Sequence, residues 1–364
     1  MFRIHPVIAA LRDNRLNLLI VAAPACWLLA VLAPGSPSIF LTAAISLVPL
    51  AGVIGLATEQ LARRSGPVLG GLLNATFGNA AELIIAVIAL HQGHVALVKA
   101  SITGSIVGNL LLVLGLSCFA GGLGRRSQVF DRTAATNMAV LLFLAVVALV
   151  MPAVFDLALF GSLAASPAAI DRLSVLSALV LIAAYGGSLI YAFTARRDLF
   201  RPAQPGDRDR HRLTTVAALG LLAAGTVLTA VQSEVLVGSL EPAIAQFGLS
   251  ELFVGVVVIA IVGNAAEHYS AVTAARRDEM TLAVEIAVGS SAQIALLVAP
   301  AIVLYSYALG QPMSLLFNPF EIVAIALSVL ATMIVVVDGE SNWVEGLQLM
   351  AVYLILAVAF YLVP

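Results

Sequence analysis

The pentapeptide Gly-Asn-Ala-Ala-Glu occurs twice, at Gly78–Glu82 and at Gly263–Glu267. Each copy lies inside a long apolar stretch. A carboxylate at membrane depth costs about 2.5–3.5 kcal/mol on insertion scales and marks an ion or proton path by default. Two of them, in matching halves of one chain, point to a repeat-built transporter. Gly and Asn are poor helix formers, so Gly78-Asn79 and Gly263-Asn264 loosen a helix where they stand. That frees backbone carbonyls and sets an amide oxygen beside Glu82 and Glu267. Irregular backbone at such depth is tolerated only where it faces protein or a wet cavity. A hard cation such as Ca²⁺ takes about 6–8 oxygen ligands. Two carboxylates, the amides of Asn79 and Asn264, nearby carbonyls and water would supply them. The sequence has no Cys pair and no His-x-x-x-His for a soft or imidazole-based site.

The same carboxylates handle protons. Two anions in one poorly solvated site cannot both stay ionised without a counter-charge. A divalent cation supplies that charge, and protons supply it otherwise. Cation and protons therefore compete for one place, and one Ca²⁺ binding to two protonated carboxyls releases two protons. The pair titrates as a unit. His268 follows Glu267 directly, whereas Leu83 holds the matching place after Glu82. Imidazole changes charge within the physiological pH range, so His268 is read as a gating or proton-coupling residue rather than a cation ligand. Glu59 and Glu241 are read as proton relays or cavity-mouth carboxylates, with a structural ion pair as the competing reading. Ser105, Asn109, Ser290, Ser291 and Gln293 stand on the spans that follow the motifs and can face the site from there.

These residues need a membrane to be placed in. The chain has 364 residues, 61% of them hydrophobic and only 10% charged. Ordinary globular domains are about 45–50% apolar and about 25% charged. Mean hydropathy is +1.06. The net charge of −2 has none of the basic excess that nucleic-acid binding needs. Cys26 and Cys118 lie in apolar stretches and read as buried packing residues. Spans of about 20 apolar residues fall near 16–33, 38–62, 66–90, 95–121, 133–154, 171–195, 213–245, 249–275, 280–307, 320–338 and 344–363. The span at 213–245 is too long for a single crossing, and its second half, from Gln232, is expected at the surface. Trp343 reads as an interfacial anchor.

The basic residues orient these spans. Taking alternate loops from the N-terminus collects Arg3, Arg12, Arg15, Arg63, Arg64, Arg125, Arg126, Arg132, the Arg residues of 196–212, Arg276 and Arg277. Of the 18 Lys and Arg, only Lys99 and Arg172 fall elsewhere. Lys and Arg gather on the cytoplasmic side, which places the N-terminus inside and, with eleven spans, the C-terminus outside. The first motif then lies on span 3 and the second on span 8, running in opposite directions. Spans 2–6 and 7–11 read as inverted repeats, whose shared site lies near the midplane. Shifting residues 78–113 by 185 leaves 14 of 36 identical, Gly104-Ser105 against Gly289-Ser290 among them. The expected organisation is an N-terminal segment with the first helix (1–37), a first repeat (38–195), a cytoplasmic Arg-rich linker (196–212) and a second repeat (213–364). The fold class is an all-α membrane protein of eleven transmembrane helices.

With these residues in view, a resemblance emerges. The stretch from Gly70 to Leu83 resembles the first signature of the Ca²⁺/H⁺ antiporters of the cation/Ca²⁺ exchanger superfamily, and Gly263–His268 resembles the second. Gly289–Ala295 and Asp338–Trp343 are also similar to that family's patterns. The resemblance implies an eleven-helix inverted-repeat fold and alternating access. It implies that Glu82 and Glu267 bind Ca²⁺ and protons by turns, assisted by His268 and supported by Asn79, Asn264, Ser105 and Gln293. Several members carry an acidic segment between the halves; here 196–212 holds six Arg against Asp198, Asp207 and Asp209.

The reading is an antiporter that exports cytoplasmic Ca²⁺ against proton entry, in a bacterial inner membrane, with no cofactor and no nucleic-acid partner. Gly78, Gly263 and Ser290 complete its supporting residues. The nearest rival keeps the fold and moves Na⁺, K⁺ or Mn²⁺. A rival of another class, an intramembrane hydrolase built on Glu267 and His268, lacks His-Glu-x-x-His and Gly-x-Ser-x-Gly and leaves the duplication unexplained. A channel would not couple uphill transport to protons. Oligomeric state is not readable from the sequence.

Overall fold

Apolar runs punctuated by Pro, Gly and Asn become helices separated by short turns. The computed structural model describes residues 15–160, 167–194 and 213–363. A 3₁₀ stretch Arg15–Val21 leads into α1 (Ala22–Leu32). Ser36 then accepts a hydrogen bond from Ser38 N and, with Pro37 at the first helical position, starts α2 (Pro37–Ala62); a proline there loses no intrahelical bond. The first motif separates α3 (Gly66–Phe77) from α4 (Ala80–His91). Next come α5 (Val95–Gly122), α6 (Arg132–Phe160) and α7 (Pro167–Thr194). The remaining helices are α8 (Thr215–Gly238), α9 (Leu240–Phe247), α10 (Glu251–Gly263), α11 (Ala265–Arg276), α12 (Met280–Ala308), α13 (Pro319–Val336) and α14 (Trp343–Leu362). The linker 196–212, with its Arg residues, and the N-terminal Arg3 and Arg12 lie outside the described residues.

Among the described residues, eight helices are long and apolar enough to cross a membrane. Two more pairs qualify when joined, Leu69–Phe77 with Ala80–His91, bent by 45°, and Leu240–Phe247 with Glu251–Gly263, bent by 113°. Leu16–Leu32 is a shorter apolar helix. Length and composition thus support eight to ten crossings where the sequence reading counted eleven, because the helices at both motifs are broken and the first one is short.

Two expectations change. The chain does not turn to the surface at Gln232: α8 runs on to Gly238 with Gln232 and Ser233 fully buried. The surface element is the short, amphipathic α9, closed by Gly248 in the left-handed region at φ 63°. The all-α description also has one exception. Strand β1 (Gln128–Val129) pairs antiparallel with β2 (Glu340–Ser341), Gln128 opposite Ser341 and Val129 opposite Glu340.

The loops sort to two ends. One end carries β1, β2 and the α11–α12 turn, joined by Gln128 Nε2 donating to Asp278 Oδ1 at 2.9 Å and by Arg125 beside Asp278 at 3.6 Å. The other end carries the α4–α5 and α9–α10 turns and residues 309–318. There Lys99 Nζ donates to the Leu316 carbonyl at 2.7 Å, and Thr103 Oγ1 to the buried Glu321 Oε1 at 3.0 Å.

Close helix crossings hold the bundle, as expected where lipid removes most of the hydrophobic drive and small residues let backbones approach. The inner half of α5 meets α14 at Gly115 and Gly346. A Cβ on Gly346 would run into Phe119 N and Gly115 O. Gly220 in α8 has open space around its Cβ position. Gly346→Ala is therefore expected to destabilise by about 1–3 kcal/mol through overpacking, whereas Gly220→Ala leaves stability unchanged or slightly raised. Thermal melts of the two variants in detergent decide this; equal melting temperatures would remove the crossing from the account.

Candidate functional site: a carboxylate pair at two helix breaks

Both motifs break their helix in the same way. Asn79 sits at φ −102°, ψ 22° and Asn264 at φ −95°, ψ 14°, in the sparsely populated bridge region. Each Asn ends one helix segment and opens the next, so Glu82 stands in the first turn of α4 and Glu267 in the first turn of α11. The positive end of a half-helix favours an anion there. It is the local reason an acidic side chain persists at this depth.

The spacing Asn-x-x-Glu occurs four times in the chain, and its behaviour splits cleanly. Asn318 with Glu321 and Asn342 with Glu345 form reciprocal capping boxes. Asn79 with Glu82 and Asn264 with Glu267 do not: neither Asn side chain caps its helix. The motif asparagines turn to the opposite half instead. Asn79 Nδ2 donates to Gln293 Oε1 at 2.8 Å and to the Ala75 carbonyl at 3.2 Å. Asn264 Nδ2 donates to Ser105 Oγ at 2.8 Å and to the Ala260 carbonyl at 2.9 Å. Asn109 Nδ2 donates to Asn264 Oδ1 at 3.1 Å and to Ser290 Oγ at 3.2 Å. All three asparagines are essentially sealed from solvent.

The glutamates are left over. Both Glu82 oxygens and Glu267 Oε2 are buried without a hydrogen-bond partner. The Glu82 side chain abuts the second motif: a Cβ on Gly263 would lie 3.5 Å from Glu82 Cγ and 3.7 Å from its Oε1. Each carboxylate lies within electrostatic reach of the other. A cavity beside Glu82 is lined by that residue with Ser101, Ser105, Ile259, Gly263 and Ile294, among others. Buried polar atoms in native proteins are nearly always satisfied, so three orphaned carboxylate oxygens at the two breaks stand out from the rest of the chain. Among the described residues no three His, Cys, Asp or Glu converge. A cation held here would rest on two carboxylates, with neutral oxygens from serines, amides and backbone.

The two partner helices are also locally unwound. Residues Gly108–Val113 of α5 and Ile294–Val298 of α12 are π-helical, and so are Val254–Ile259 of α10. Such wide turns recur at functional sites. Asn109 lies within the first of them and Gln293 just precedes the second. The 185-residue shift pairs Asn109 with Ile294 and Gln293 with Gly108, so the two amides that hold the motif asparagines are out of register by one residue. A repeat search by identity cannot find such a pair.

Of the other sequence candidates, the structure brings in some and not others. His268 is half-buried next to Glu267, and its imidazole makes no hydrogen bond to the described residues. Gly78 and Gly263 flank the breaks. Ser105 and Ser290 join the amide network. Glu59 does not approach the pair: it ends α2 in an exposed salt bridge to Arg63 at 2.7 Å. Glu241 opens the surface helix α9 and is exposed. The half-buried Lys99 and the buried Glu321 were not read as site residues from sequence, Glu321 because Asn318-Pro319 reads as an ordinary helix start.

Comparison with known proteins follows the same lines. The pattern that describes the sodium/calcium exchanger protein family matches residues 35–194 and 217–362. The chain is 43% identical over 344 residues to a Ca²⁺/H⁺ antiporter of Aphanothece halophytica, covering 90% of this chain and 91% of that one. It is 41% identical over 355 residues to the Ca²⁺/H⁺ antiporter ChaA of Bacillus subtilis, covering 96% and 99%. Among solved structures it is similar to native YfkE at 39% identity and a TM-score of 0.82, covering 96% of this chain and all of that one. The H⁺/Ca²⁺ exchanger CAX shares the fold at 16% identity and a TM-score of 0.66.

The amide network has a measurable weight. Gln293→Leu removes the acceptor of one Asn79 N–H, and Asn109→Leu removes a donor shared by two groups. Interhelical bonds of this kind carry about 0.6–1.7 kcal/mol in membranes. Both variants are expected to melt at lower temperature in detergent, Asn109→Leu the lower of the two. Melting at the parent temperature would show the network to be idle.

Proposed function

This chain belongs to the sodium/calcium exchanger protein family, and from that membership and the carboxylate pair we propose that it exchanges cytoplasmic Ca²⁺ for protons. The observation that carries the proposal is the orphaned pair itself: Glu82 and Glu267 come from different halves of the chain, meet at two helix breaks, and keep oxygens without protein partners. Ca²⁺ is the substrate, and the oxygen-only donor set suits a hard cation. Glu82 and Glu267 ligate it in their ionised forms. Ser105, Ser290 and the carbonyls at the breaks stand in the same neighbourhood as neutral oxygens, and Asn79, Asn264 and Gln293 hold the breaks in shape. When the ion leaves, protons take its place, because two bare anions in this pocket would repel each other and lack solvation.

Coupling follows from mutual exclusion. A site that is either calcium-loaded or protonated crosses between the two membrane faces, and an empty, doubly charged site does not. This is alternating access with one shared site, and it fits halves of inverted orientation: α2–α7 as the first repeat and α8–α14 as the second, with the N-terminus cytoplasmic and the C-terminus outside. The Arg-rich loops set that orientation in a bacterial inner membrane. His268 adds a proton-accepting ring at the residue after Glu267, at the place where the first motif has only Leu83. The relatives described above as Ca²⁺/H⁺ antiporters support Ca²⁺ over Na⁺, K⁺ or Mn²⁺. Oxygen ligands do not themselves separate Ca²⁺ from Mn²⁺.

Glu82→Gln and Glu267→Gln are each expected to abolish proton-driven ⁴⁵Ca uptake into inverted membrane vesicles, with the protein still inserted. Near-normal uptake by either variant would sink the shared site. Competition by excess Na⁺, K⁺ or Mn²⁺ in the same assay reports selectivity. His268→Ala is expected to move the pH profile of uptake while leaving expression and melting temperature close to the parent. A superimposable profile would remove His268 from the coupling.

A further inference from the structure

The site is closed differently at its two ends. On the side of the α4–α5 and α9–α10 turns, α5 and α10 touch backbone to backbone. A Cβ on Gly104 would run into the backbone of Val256, and one on Gly255 into Ala100. The 185-residue shift carries these glycines onto Gly289 and Gly70. No such crossing forms there. The nearest group to a Cβ on Gly289 is the Met138 side chain at 3.7 Å, and Gly70 packs on Ala62 instead. A helix crossing thus closes over one end of the cavity beside Glu82, and the symmetry-related positions form no such crossing.

A polar contact spans the sealed end. His94, the residue before α5, places Nδ1 at 3.1 Å from Oε1 of Glu251, the first residue of α10. Both side chains are only partly exposed. The shift turns His94 into Glu279 and Glu251 into Gly66, so the opposite end has no equivalent pair. Glu251 is the charged group facing His94 from α10. On α5 itself, Lys99 is engaged elsewhere, with the Leu316 carbonyl and near Glu321 of α13. From α4, His91 lies against Tyr305 of α12. The contact from α14 is aromatic, Tyr361 edge-on to Phe253 at 5.4 Å.

We propose that His94 and Glu251 form a latch that holds α5 against α10 and keeps that end of the site shut. Opening toward that side parts the two helices and breaks the pair. The hydrogen bond between ring nitrogen and carboxylate oxygen is what must break for the helices to part. The positions of both residues make them gate-positioning groups, not ligands. The inference rests on the proposed alternation of access, and its test reads access rather than transport.

A reporter cysteine at Ser101, which lines the cavity on the latch side of Ser105, is placed in a chain carrying Cys26→Ala and Cys118→Ala. A membrane-impermeant maleimide is added from the latch side. His94→Ala and Glu251→Gln are each expected to raise the labelling rate by about threefold, the scale of a partly exposed ion pair. Taking the ratio of variant to parent under one set of conditions removes the thiol's own reactivity from the comparison. The exchanged pair His94→Glu with Glu251→His is expected to return labelling toward the parent rate, which guards against general loosening. A ratio of one, or equal labelling of the single and exchanged variants, overturns the latch. Labelling as expected in a chain that moves no ⁴⁵Ca would instead count against the antiport reading.

Discussion

Everything in this structure answers to the cost of keeping two acidic side chains away from water. Glu82 and Glu267 sit where a helix has been interrupted and restarted, so each faces the positive end of a fresh half-helix. That lowers the cost without cancelling it, because the half-helix end is not bonded to the carboxylate oxygens. A fully satisfied carboxylate would be inert. The capping boxes of Glu321 and Glu345 show what satisfaction looks like in the same chain, with the same spacing. The motif glutamates differ because their asparagines are drawn away to Gln293, Ser105 and Asn109.

That diversion ties the two halves together. Asn79 belongs to the first half and finds its amide partner in the second; Asn264 does the reverse. The glycines at the crossings serve the same end by letting helices from different halves meet at backbone distance. The cluster is therefore not contained in either half of the chain. Each half supplies one acid and the means of holding the other half's break in shape.

How much of this could be read beforehand depends on what each residue's role is local to. The duplicated pentapeptide, the weakness of Gly-Asn in a helix and the alternation of Arg-rich loops are properties of the chain itself, and the breaks fall where they were expected. The partners of Asn79 and Asn264 are not local. Asn109 and Gln293 are offset by one residue between the halves, and π-helical turns absorb that offset. Gln232 looked like the start of a surface segment because a polar residue ends an apolar run, yet it is buried within α8. Glu59 and Glu241 could be read from sequence as relay or cavity-mouth carboxylates or as ion-pair members, and Glu59 makes an ion pair with Arg63, because depth in sequence does not say which way a side chain turns. The count of crossings was the least legible feature, since a broken helix satisfies a span by its sum and not by its parts.

The two-residue sheet has a mechanical meaning out of proportion to its size. Strand β1 leaves the end of α5 in one half, and β2 precedes α14 in the other. Gly115 and Gly346 press those same two helices together just above it. The stitch and the crossing fuse α5 and α14 into one chassis that straddles the internal boundary. Two helices joined in this manner part only at the cost of both contacts, so helices that the stitch leaves loose are the cheaper ones to displace.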